Sequence, residues 1–207
     1  MSHKTTIPDF LIVGAGKSGT TSLHHYLDEH PAIFMPQKFK ELCSWYLIDN
    51  DYENIPIFRK FPFLPKTLEE YIQHFDNATS SQIKGDATPS YFVYKEKVLE
   101  NLKKYHDDYK AIKIIIILRE PISKIWSHYK MVNGMQLDPR NLNLEQSLLQ
   151  EVERMKDDSL LPDLHYLSNT NYLRDVSFFQ ENFDQVLVLK YDDLRKNAQK
   201  VMDEIFC

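Results

Sequence analysis

The sequence predicts an α/β fold in which a parallel sheet is covered by helices on both faces, giving three layers. Short apolar runs that suit buried strands alternate along the chain with segments whose apolar residues recur at helical spacing. The segment 111–121, AIKIIIILREP, is rich in β-branched residues, as expected of a strand that is buried on both faces. The chain has 207 residues and shows no repeat or linker, so one domain over 1–207 is expected.

The first elements follow from local patterns. A strand is expected over 9–14, DFLIVG, because this apolar run ends at a glycine. A helix over 19–31 follows, since Leu23 and Leu27 lie one turn apart and a proline ends the segment. The same helical spacing of apolar residues predicts two further helices, over 66–75 and 95–105.

Beyond the long strand, Pro121 occupies a favoured first helical position and begins a helix through residue 132. Its apolar stripe is expected to be buried, and Ser123 and Ser127 are expected opposite it; the stripe consists of Ile122, Ile125, Trp126, Tyr129 and Val132. The remaining chain predicts a helix over 171–183, a strand over 185–191 and a helix over 198–206. Segment 56–65, which holds three of the ten prolines, is expected to be an irregular surface excursion.

The composition argues against several classes of protein. The formal net charge is −5, with 25 basic and 30 acidic residues, which disfavours a nucleic-acid binder. The longest wholly apolar run has five residues, and the N-terminus lacks the apolar stretch of a signal peptide. Cys43 and Cys207 show no metal-binding spacing. We therefore expect a cytoplasmic protein with no nucleic-acid, membrane or metal partner; the sequence does not indicate its oligomeric state.

A glycine-rich turn between the first strand and the first helix contains residue types that bind phosphate: Gly14, Gly16, Lys17, Ser18, Gly19, Thr20 and Thr21. The turn differs from the nucleoside triphosphatase pattern, because Leu11 stands where that pattern needs glycine. Free backbone N–H groups and the positive end of the helix would face an anion, and Lys17 would add a charge. The alternative is an ordinary turn with Thr20 or Thr21 as the helix cap.

A second pair of residues points to the same edge of the sheet. Arg119 follows the long strand, and Ser127 stands eight residues later on the next helix. Ligands of open α/β sheets bind at the carboxyl ends of the strands, which is where Arg119 is expected. The alternatives are that Arg119 pairs with Glu120 and that Ser127 faces solvent.

These two features together resemble the sulfotransferases that use 3′-phosphoadenosine 5′-phosphosulfate (PAPS). The loop of that family runs Gly-x-x-Lys-x-Gly-Thr-Thr, which this sequence matches from Gly14 to Thr21. The family also places an arginine at a strand end and a serine eight residues later, both on the 3′-phosphate. The resemblance implies a P-loop-like α/β fold and a set of donor-binding residues: Gly16, Lys17, Ser18, Gly19, Thr20, Thr21, Arg119 and Ser127.

Two looser matches concern the acceptor side. The segment 38–46, KFKELCSWY, resembles the stretch in which the heparan-type enzymes carry a glutamate base, here Glu41. Cys43 departs from that stretch, where those enzymes often carry histidine. The segment 85–92, GDATPSYF, resembles their acceptor-lining stretch, although Ala87 replaces its lysine. The resemblance is thus nearer to the carbohydrate-type branch, and it implies acceptor contacts from Asp86 and Tyr91; His25 is a further candidate.

The chemistry implied by the resemblance is sulfuryl transfer from PAPS to a hydroxyl or amine of a small-molecule or glycan acceptor. Adenosine 3′,5′-bisphosphate would be the second product, and no metal is required. Lys17 would stabilise charge on the leaving phosphate oxygen, and Glu41 would act as general base. The alternative for Glu41 is a solvated residue beside Lys38 and Lys40.

Two other functions stay open from the sequence: a nucleotide kinase or triphosphatase with an irregular loop, and a non-catalytic nucleotide-binding module of the same fold. In the family the last helix leads into a basic, glycine-containing loop that closes over the nucleotide. No such loop follows Ser127 here. We therefore expect a single domain that lacks the closing loop, with an open nucleotide cleft and exposed apolar surface on helix 198–206.

Overall fold

The computed structural model describes residues 7–50, 61, 63–138, 140–154 and 164–206. Five parallel strands form one sheet in the order β2-β3-β1-β4-β5, and helices cover both of its faces. The predicted three-layer α/β architecture is therefore confirmed. The strands are β1 (Phe10–Gly14), β2 (Ile33–Phe34), β3 (Ile83–Ala87), β4 (Lys113–Leu118) and β5 (Val186–Lys190).

Strands β1 and β4 lie at the centre of the sheet, and the whole of β1 is buried. Because side chains alternate along a strand, Leu11 and Val13 enter one core cluster and Phe10 and Ile12 enter the other. The apolar runs of β1 and β4 are continuous because each strand contributes side chains to the core on both faces of the sheet. This explains why β1 and β4 were the strands that the sequence predicted most clearly.

The predicted helices are present: those over 95–105 and 198–206 have the predicted bounds, and the others differ by one to three residues at their ends. Further short helices occur among the described residues. In chain order they are α1 (Thr20–Asp28), α2 (Ser44–Leu47), α3 (Leu68–Gln73), α4 (Lys95–Tyr105), α5 (Pro121–Gly134), α6 (Leu144–Leu149), α7 (Glu151–Arg154), α8 (Tyr172–Asn182), α9 (Tyr191–Lys196) and α10 (Ala198–Phe206). Single 3₁₀ turns occur at Pro89–Phe92, Tyr109–Ala111 and Ser168–Thr170.

Several elements were not predicted. Strand β2 has only two residues, and β3 contains a lysine, a glycine and an aspartate, so neither shows an apolar period. Gly85 allows β3 to lie close to its neighbour, since a Cβ there would meet the Phe10 ring at 2.0 Å. Helix α9 begins at Tyr191, where the sequence predicted the end of a strand. Of the excursion expected over 56–65, residues 56–60 and 62 lie outside the described residues.

The buried face of α5 differs from the predicted stripe. Ile122 and Trp126 are 76% and 50% exposed, whereas Lys124 and His128 are buried together with Ile125 and Val132. The helix is therefore rotated about its axis relative to the prediction. The reason is that Ile125 and Val132 pack against Leu164 and Tyr166, which leaves Lys124, Ser127 and His128 to line a cavity.

Helix α10 packs on the same cluster as β1 and β5 through Val201 and Met202, which are 2% and 7% exposed. The expected exposed apolar surface on this helix is thus limited to its end, where Phe206 is 45% exposed and lies against His30. No helix of the described residues has the length and apolar character to cross a bilayer.

Candidate functional site

The site lies where the two central strands end. Strands β1 and β4 run parallel, with Gly14 beside Ile116, so the chain leaves both strands at the same edge of the sheet. The glycine-rich turn follows β1, and Arg119 follows β4. Parallel pairing therefore brings together two segments that are about a hundred residues apart in the sequence.

Two hydrogen bonds hold the turn against the end of β4. The Ala15 N–H donates to the Ile117 carbonyl at 2.8 Å, and Nη1 of Arg119 donates to the Lys17 carbonyl at 3.1 Å. Lys17 has a left-handed backbone conformation with φ 65°, which costs a residue other than glycine roughly 1–2 kcal/mol. These bonds fix the turn in a conformation that the lysine would not adopt by itself.

The N-cap residue of helix α1, directly before Thr20, is Gly19 rather than a threonine. Its φ is +94°, and a Cβ at this position would lie 2.8 Å from the Tyr191 ring. Within the described part of the chain no side chain caps α1, so the alternative of a threonine cap is wrong. The first N–H groups of the helix are left available to an external acceptor such as an anion.

A cavity of about 340 Å³, here called the loop cavity, lies over this turn. Most of the predicted donor-binding residues and the predicted base line it: Gly16, Lys17, Gly19, Thr20, Thr21, Glu41, Arg119 and Ser127. They come from four separate segments of the chain. Ser18 is completely buried and does not line the cavity.

The loop cavity is electropositive. Lys17 and Arg119 form no ion pair with an acidic side chain of the described residues, and the Arg119 guanidinium stacks on the Tyr191 ring at 4.8 Å. Glu120 does not pair with Arg119; its carboxylate accepts hydrogen bonds from the Ile122 and Ser123 N–H groups and caps α5. The alternative of a strand-end ion pair is therefore wrong for the described residues.

Lys124, His128 and Tyr191 are among the lining residues that were missed from the sequence. Lys124 is 3% exposed, and its Nζ donates to the Asn169 carbonyl at 2.9 Å. Burial, followed by the charges of Lys124 and Lys17, lowers the pKa of His128 to about 3, so this imidazole is neutral at neutral pH. Lys124, Ser127, His128 and Met131 share helical spacing, a signal that was available once Ser127 had been identified.

Glu41 lies at the rim of the loop cavity. Its side chain is 50% exposed, and Oε1 accepts a hydrogen bond from the Lys40 Nζ at 2.6 Å. It is thus both solvated and adjacent to the cavity.

Asp86 and Tyr91 do not reach either the loop cavity or the surface. Both are 0% exposed, and the Tyr91 hydroxyl donates to Asp86 Oδ2 at 2.7 Å. Thr88 Oγ1 donates to Oδ1 at 2.7 Å, and the Tyr71 hydroxyl lies 3.4 Å from Oδ2. Direct acceptor contact by Asp86 and Tyr91 is therefore not supported by this structure, because no ligand can touch a fully buried side chain.

The same network instead fixes the segment that carries Glu41. The Cys43 N–H donates to Thr88 Oγ1 at 3.3 Å, and the Trp45 N–H donates to the Tyr91 hydroxyl at 3.4 Å. Asp86 thus holds the two groups that anchor the chain just after Glu41. His25, the remaining candidate for acceptor binding, is exposed on α1 and does not line the loop cavity.

A second cavity, here called the apolar cavity, has a volume of about 330 Å³ and adjoins the first. Glu41, Ser90 and Met131 line both cavities. Most of its other lining side chains are aromatic or aliphatic, from Phe39 on one side to Leu137 on the other. The site therefore joins an electropositive compartment to an apolar one, with Glu41 between them.

Comparison with known proteins gives a consistent result. Residues 7–207 match the sulfotransferase domain family. The chain is 32% identical over 126 residues to the membrane-associated sulfotransferase kil1 of Dictyostelium discoideum, covering 59% of this chain and 22% of that protein. It is 31% identical over 126 residues to heparan sulfate glucosamine 3-O-sulfotransferase 5 of Mus musculus, covering 61% and 31%. The expected resemblance to the heparan-type branch is confirmed.

The fold is also shared with a solved structure, the sulfotransferase from Alicyclobacillus acidocaldarius. The TM-score is 0.81 at 24% identity, over 97% of this chain and 80% of that one. The chain spans less than a third of the length of each of the two relatives described above.

The buried Asp86 network predicts a specific pH dependence of stability. Burial raises the pKa of Asp86 from 3.8 to about 6, despite the three hydroxyls directed at it. The folded protein then binds a proton more tightly than the unfolded chain, so the free energy of unfolding should fall as pH rises from about 4 to about 7. The part due to Asp86 is at most roughly 3 kcal/mol. Asp86→Asn should lack it, which denaturant unfolding of both proteins across this range measures.

Asp76→Asn, at an exposed carboxylate, is the matched control and should leave the wild-type pH dependence in place. If the stability difference between wild type and Asp86→Asn instead grew with rising pH, the hydroxyls would outweigh burial and Asp86 would be held as the anion.

Proposed function

The chain belongs to the sulfotransferase domain family, and from that premise we propose that it transfers the sulfuryl group of PAPS to a hydroxyl or amine of an acceptor. One observation carries the proposal: the turn after β1, Arg119 and Ser127 line a single electropositive cavity. The residues that the family resemblance assigned to two different phosphate groups of the donor are thus close enough to hold one molecule.

The cavity fits a donor with two separate anionic groups. Lys17, the hydroxyls of Thr20 and Thr21 and the uncapped end of α1 would hold the 5′-phosphosulfate. Arg119 and Ser127, which follow β4, would hold the 3′-phosphate. Tyr191 supports this arrangement, because its ring stacks on Arg119 and contacts the turn at Gly19.

In the reaction the acceptor oxygen or nitrogen forms a bond to sulfur while the bond from sulfur to the bridging phosphate oxygen breaks. The electron pair of the broken bond stays on the phosphate, and adenosine 3′,5′-bisphosphate leaves with that charge. By analogy with phosphoryl transfer the transition state is loose, so the main need is positive potential at the leaving oxygen. Lys17 and the end of α1 supply it from fixed positions.

Glu41 would accept the proton that the acceptor loses. It lies at the border of the loop cavity and the apolar cavity, which is where an acceptor must meet the donor. Its partner Lys40 holds the carboxylate in place at 2.6 Å, and the exposed half of the side chain gives the proton a route to solvent.

A nucleotide kinase or triphosphatase would need a magnesium-binding aspartate at the end of a buried strand beside the turn, whereas β4 is followed there by Arg119. Asp86, at the carboxyl end of β3, is enclosed by hydroxyl groups and does not line the loop cavity. We therefore favour sulfuryl transfer, and we keep a cytoplasmic location and a small-molecule or glycan acceptor as part of the proposal.

The donor site predicts selective binding of the 3′-phosphate. Adenosine 3′,5′-bisphosphate should raise the melting temperature, whereas ADP, which lacks the 3′-phosphate, should change it little. When the bisphosphate is present at about 100 times its own Kd, it should add roughly 2.7 kcal/mol to the free energy of unfolding.

Arg119→Ala should weaken bisphosphate binding about 10- to 150-fold in calorimetry, the equivalent of a charge-assisted contact of roughly 1.5–3 kcal/mol. Binding of AMP should change little.

Arg195→Ala removes an exposed arginine of α9 and should bind the bisphosphate as the wild type does. Equal melting shifts with both nucleotides would remove the case for a 3′-phosphate site. Equal losses of bisphosphate and AMP affinity in Arg119→Ala would mean that Arg119 acts only by holding the Lys17 carbonyl.

Lys17 is predicted to act in the chemical step. Lys17→Ala should lower kcat by about 10²–10³, the usual loss when one preorganised donor to a developing negative charge is removed. Transfer of radiolabelled sulfate from PAPS measures this, with Lys200→Ala at an exposed lysine of α10 as the control. A loss confined to donor affinity, with unchanged kcat, would assign Lys17 to binding alone.

Glu41→Gln should lower kcat by about 10²–10⁴, because the variant cannot accept the proton of the acceptor. Affinity for adenosine 3′,5′-bisphosphate should be unchanged, since Glu41 contacts the acceptor side of the cavity. Glu100→Gln is the matched control, because Glu100 is also an exposed carboxylate paired with a lysine. Normal turnover in Glu41→Gln would exclude Glu41 as the base.

A further inference from the structure

We propose that the acceptor carries its hydroxyl or amine on an apolar body, aromatic or alkyl, which the apolar cavity holds. The inference rests on the proposed sulfuryl transfer and names the substrate class of the same site. It departs from what the names of the heparan sulfate relatives would suggest, since a heparan chain is a polar polyanion.

The position of the apolar cavity makes it the route by which an acceptor meets the donor. Glu41, Ser90 and Met131 form part of both cavity walls, so a molecule in the apolar cavity ends beside the proposed base. Its volume of about 330 Å³ lies at the lower end of the range of about 300–1,000 Å³ typical of small-molecule sites. It suits a compact molecule rather than several sugar rings.

The walls offer mainly apolar contact. Phe39 and Phe63 stack at 4.3 Å between ring centroids, and Phe61 meets Phe63 edge to face at 5.9 Å. The opposite wall is aliphatic, with Val132 and Met135 from the end of α5. Cys43 adds a neutral thiol, because burial raises its pKa to about 12.

Polar groups are few and already engaged. Among the described residues that line the apolar cavity, the charged groups are Lys40 and Glu41, which pair with each other at 2.6 Å. The Ser90 hydroxyl lies 3.3 Å from the Tyr46 hydroxyl, to which it can donate. A sulfated or uronic-acid glycan would therefore find no unpaired cation on this described wall.

The energetic comparison favours an apolar occupant. A sugar hydroxyl that is buried without a hydrogen-bond partner destabilises the complex, whereas apolar surface removed from water stabilises it. An acceptor with one hydroxyl at Glu41 and an apolar remainder meets both conditions. A larger polar cleft, lined by Gln37, His74 and Asn77, includes neither Glu41 nor the residues of the donor turn.

Binding of a probe tests this without relying on turnover. The chain saturated with adenosine 3′,5′-bisphosphate is titrated with 2-naphthol and, separately, with an unsulfated glucuronate–glucosamine oligosaccharide. We expect 2-naphthol to bind and the oligosaccharide to bind at least roughly tenfold more weakly, because its hydroxyls would lack partners. Met135→Asp places a charge on the wall of the apolar cavity and should weaken 2-naphthol at least roughly tenfold.

Leu149→Asp puts the same charge at a side chain that is 77% exposed and outside both cavities, and it should bind 2-naphthol as the wild type does. Phe63→Ala, at a half-exposed ring, should weaken 2-naphthol and serves if Met135→Asp fails to fold. Absence of 2-naphthol binding, equal binding in Met135→Asp and Leu149→Asp, or preferred binding of the oligosaccharide would overturn the inference. None of these results would affect bisphosphate binding, whose failure would count against the donor site itself.

Discussion

The parallel pairing of β1 with β4 is the constraint on which the site depends. It places Gly14 beside Ile116, so the turn after one strand and the arginine after the other leave the same sheet edge together. The Ala15 N–H and the Arg119 guanidinium then tie the turn to β4 from both ends. A one-residue shift in the pairing of β1 with β4 would turn the side chains of one strand to the opposite face of the sheet. It would also separate the two halves of the proposed donor site.

The acceptor side depends on a different kind of constraint, a buried carboxylate. Asp86 accepts hydrogen bonds from Tyr91 and Thr88, and those same two residues accept the N–H groups of Trp45 and Cys43. The segment that carries Glu41 is thereby attached to the end of β3 rather than to β1 or β4. The proposed donor and acceptor halves of the site are therefore positioned by different strands of one sheet, and Glu41 lines both the loop cavity and the apolar cavity.

The sequence predicted the features that local pattern controls and missed those that tertiary packing controls. The turn after β1 and the Arg119–Ser127 pair were recognisable because their residue types and spacing are local. Lys124 and His128 were missed because an apolar stripe was taken as the buried face of α5, whereas the helix turns its polar stripe into the cavity. Asp86 was predicted to contact the acceptor, but its side chain is completely buried, because a sequence pattern does not show which way a side chain points.

Charge is distributed unevenly between the two compartments, and this asymmetry has a physical consequence. In the loop cavity Lys17 and Arg119 have no acidic partner among the described residues, and burial, followed by the charges of Lys124 and Lys17, lowers the pKa of His128 so that it is neutral. Lys17 also has a left-handed backbone conformation, and its carbonyl accepts a hydrogen bond from Arg119. A group of like charges fixed before any ligand arrives is unfavourable for the folded state, and a bound anion relieves it.

The same fixed charges need no rearrangement when negative charge develops on a leaving oxygen, which is the condition for electrostatic catalysis. Among the described residues that line the apolar cavity, the charged side chains are Lys40 and Glu41, which pair with each other where this cavity adjoins the loop cavity, and most of the remaining lining is apolar.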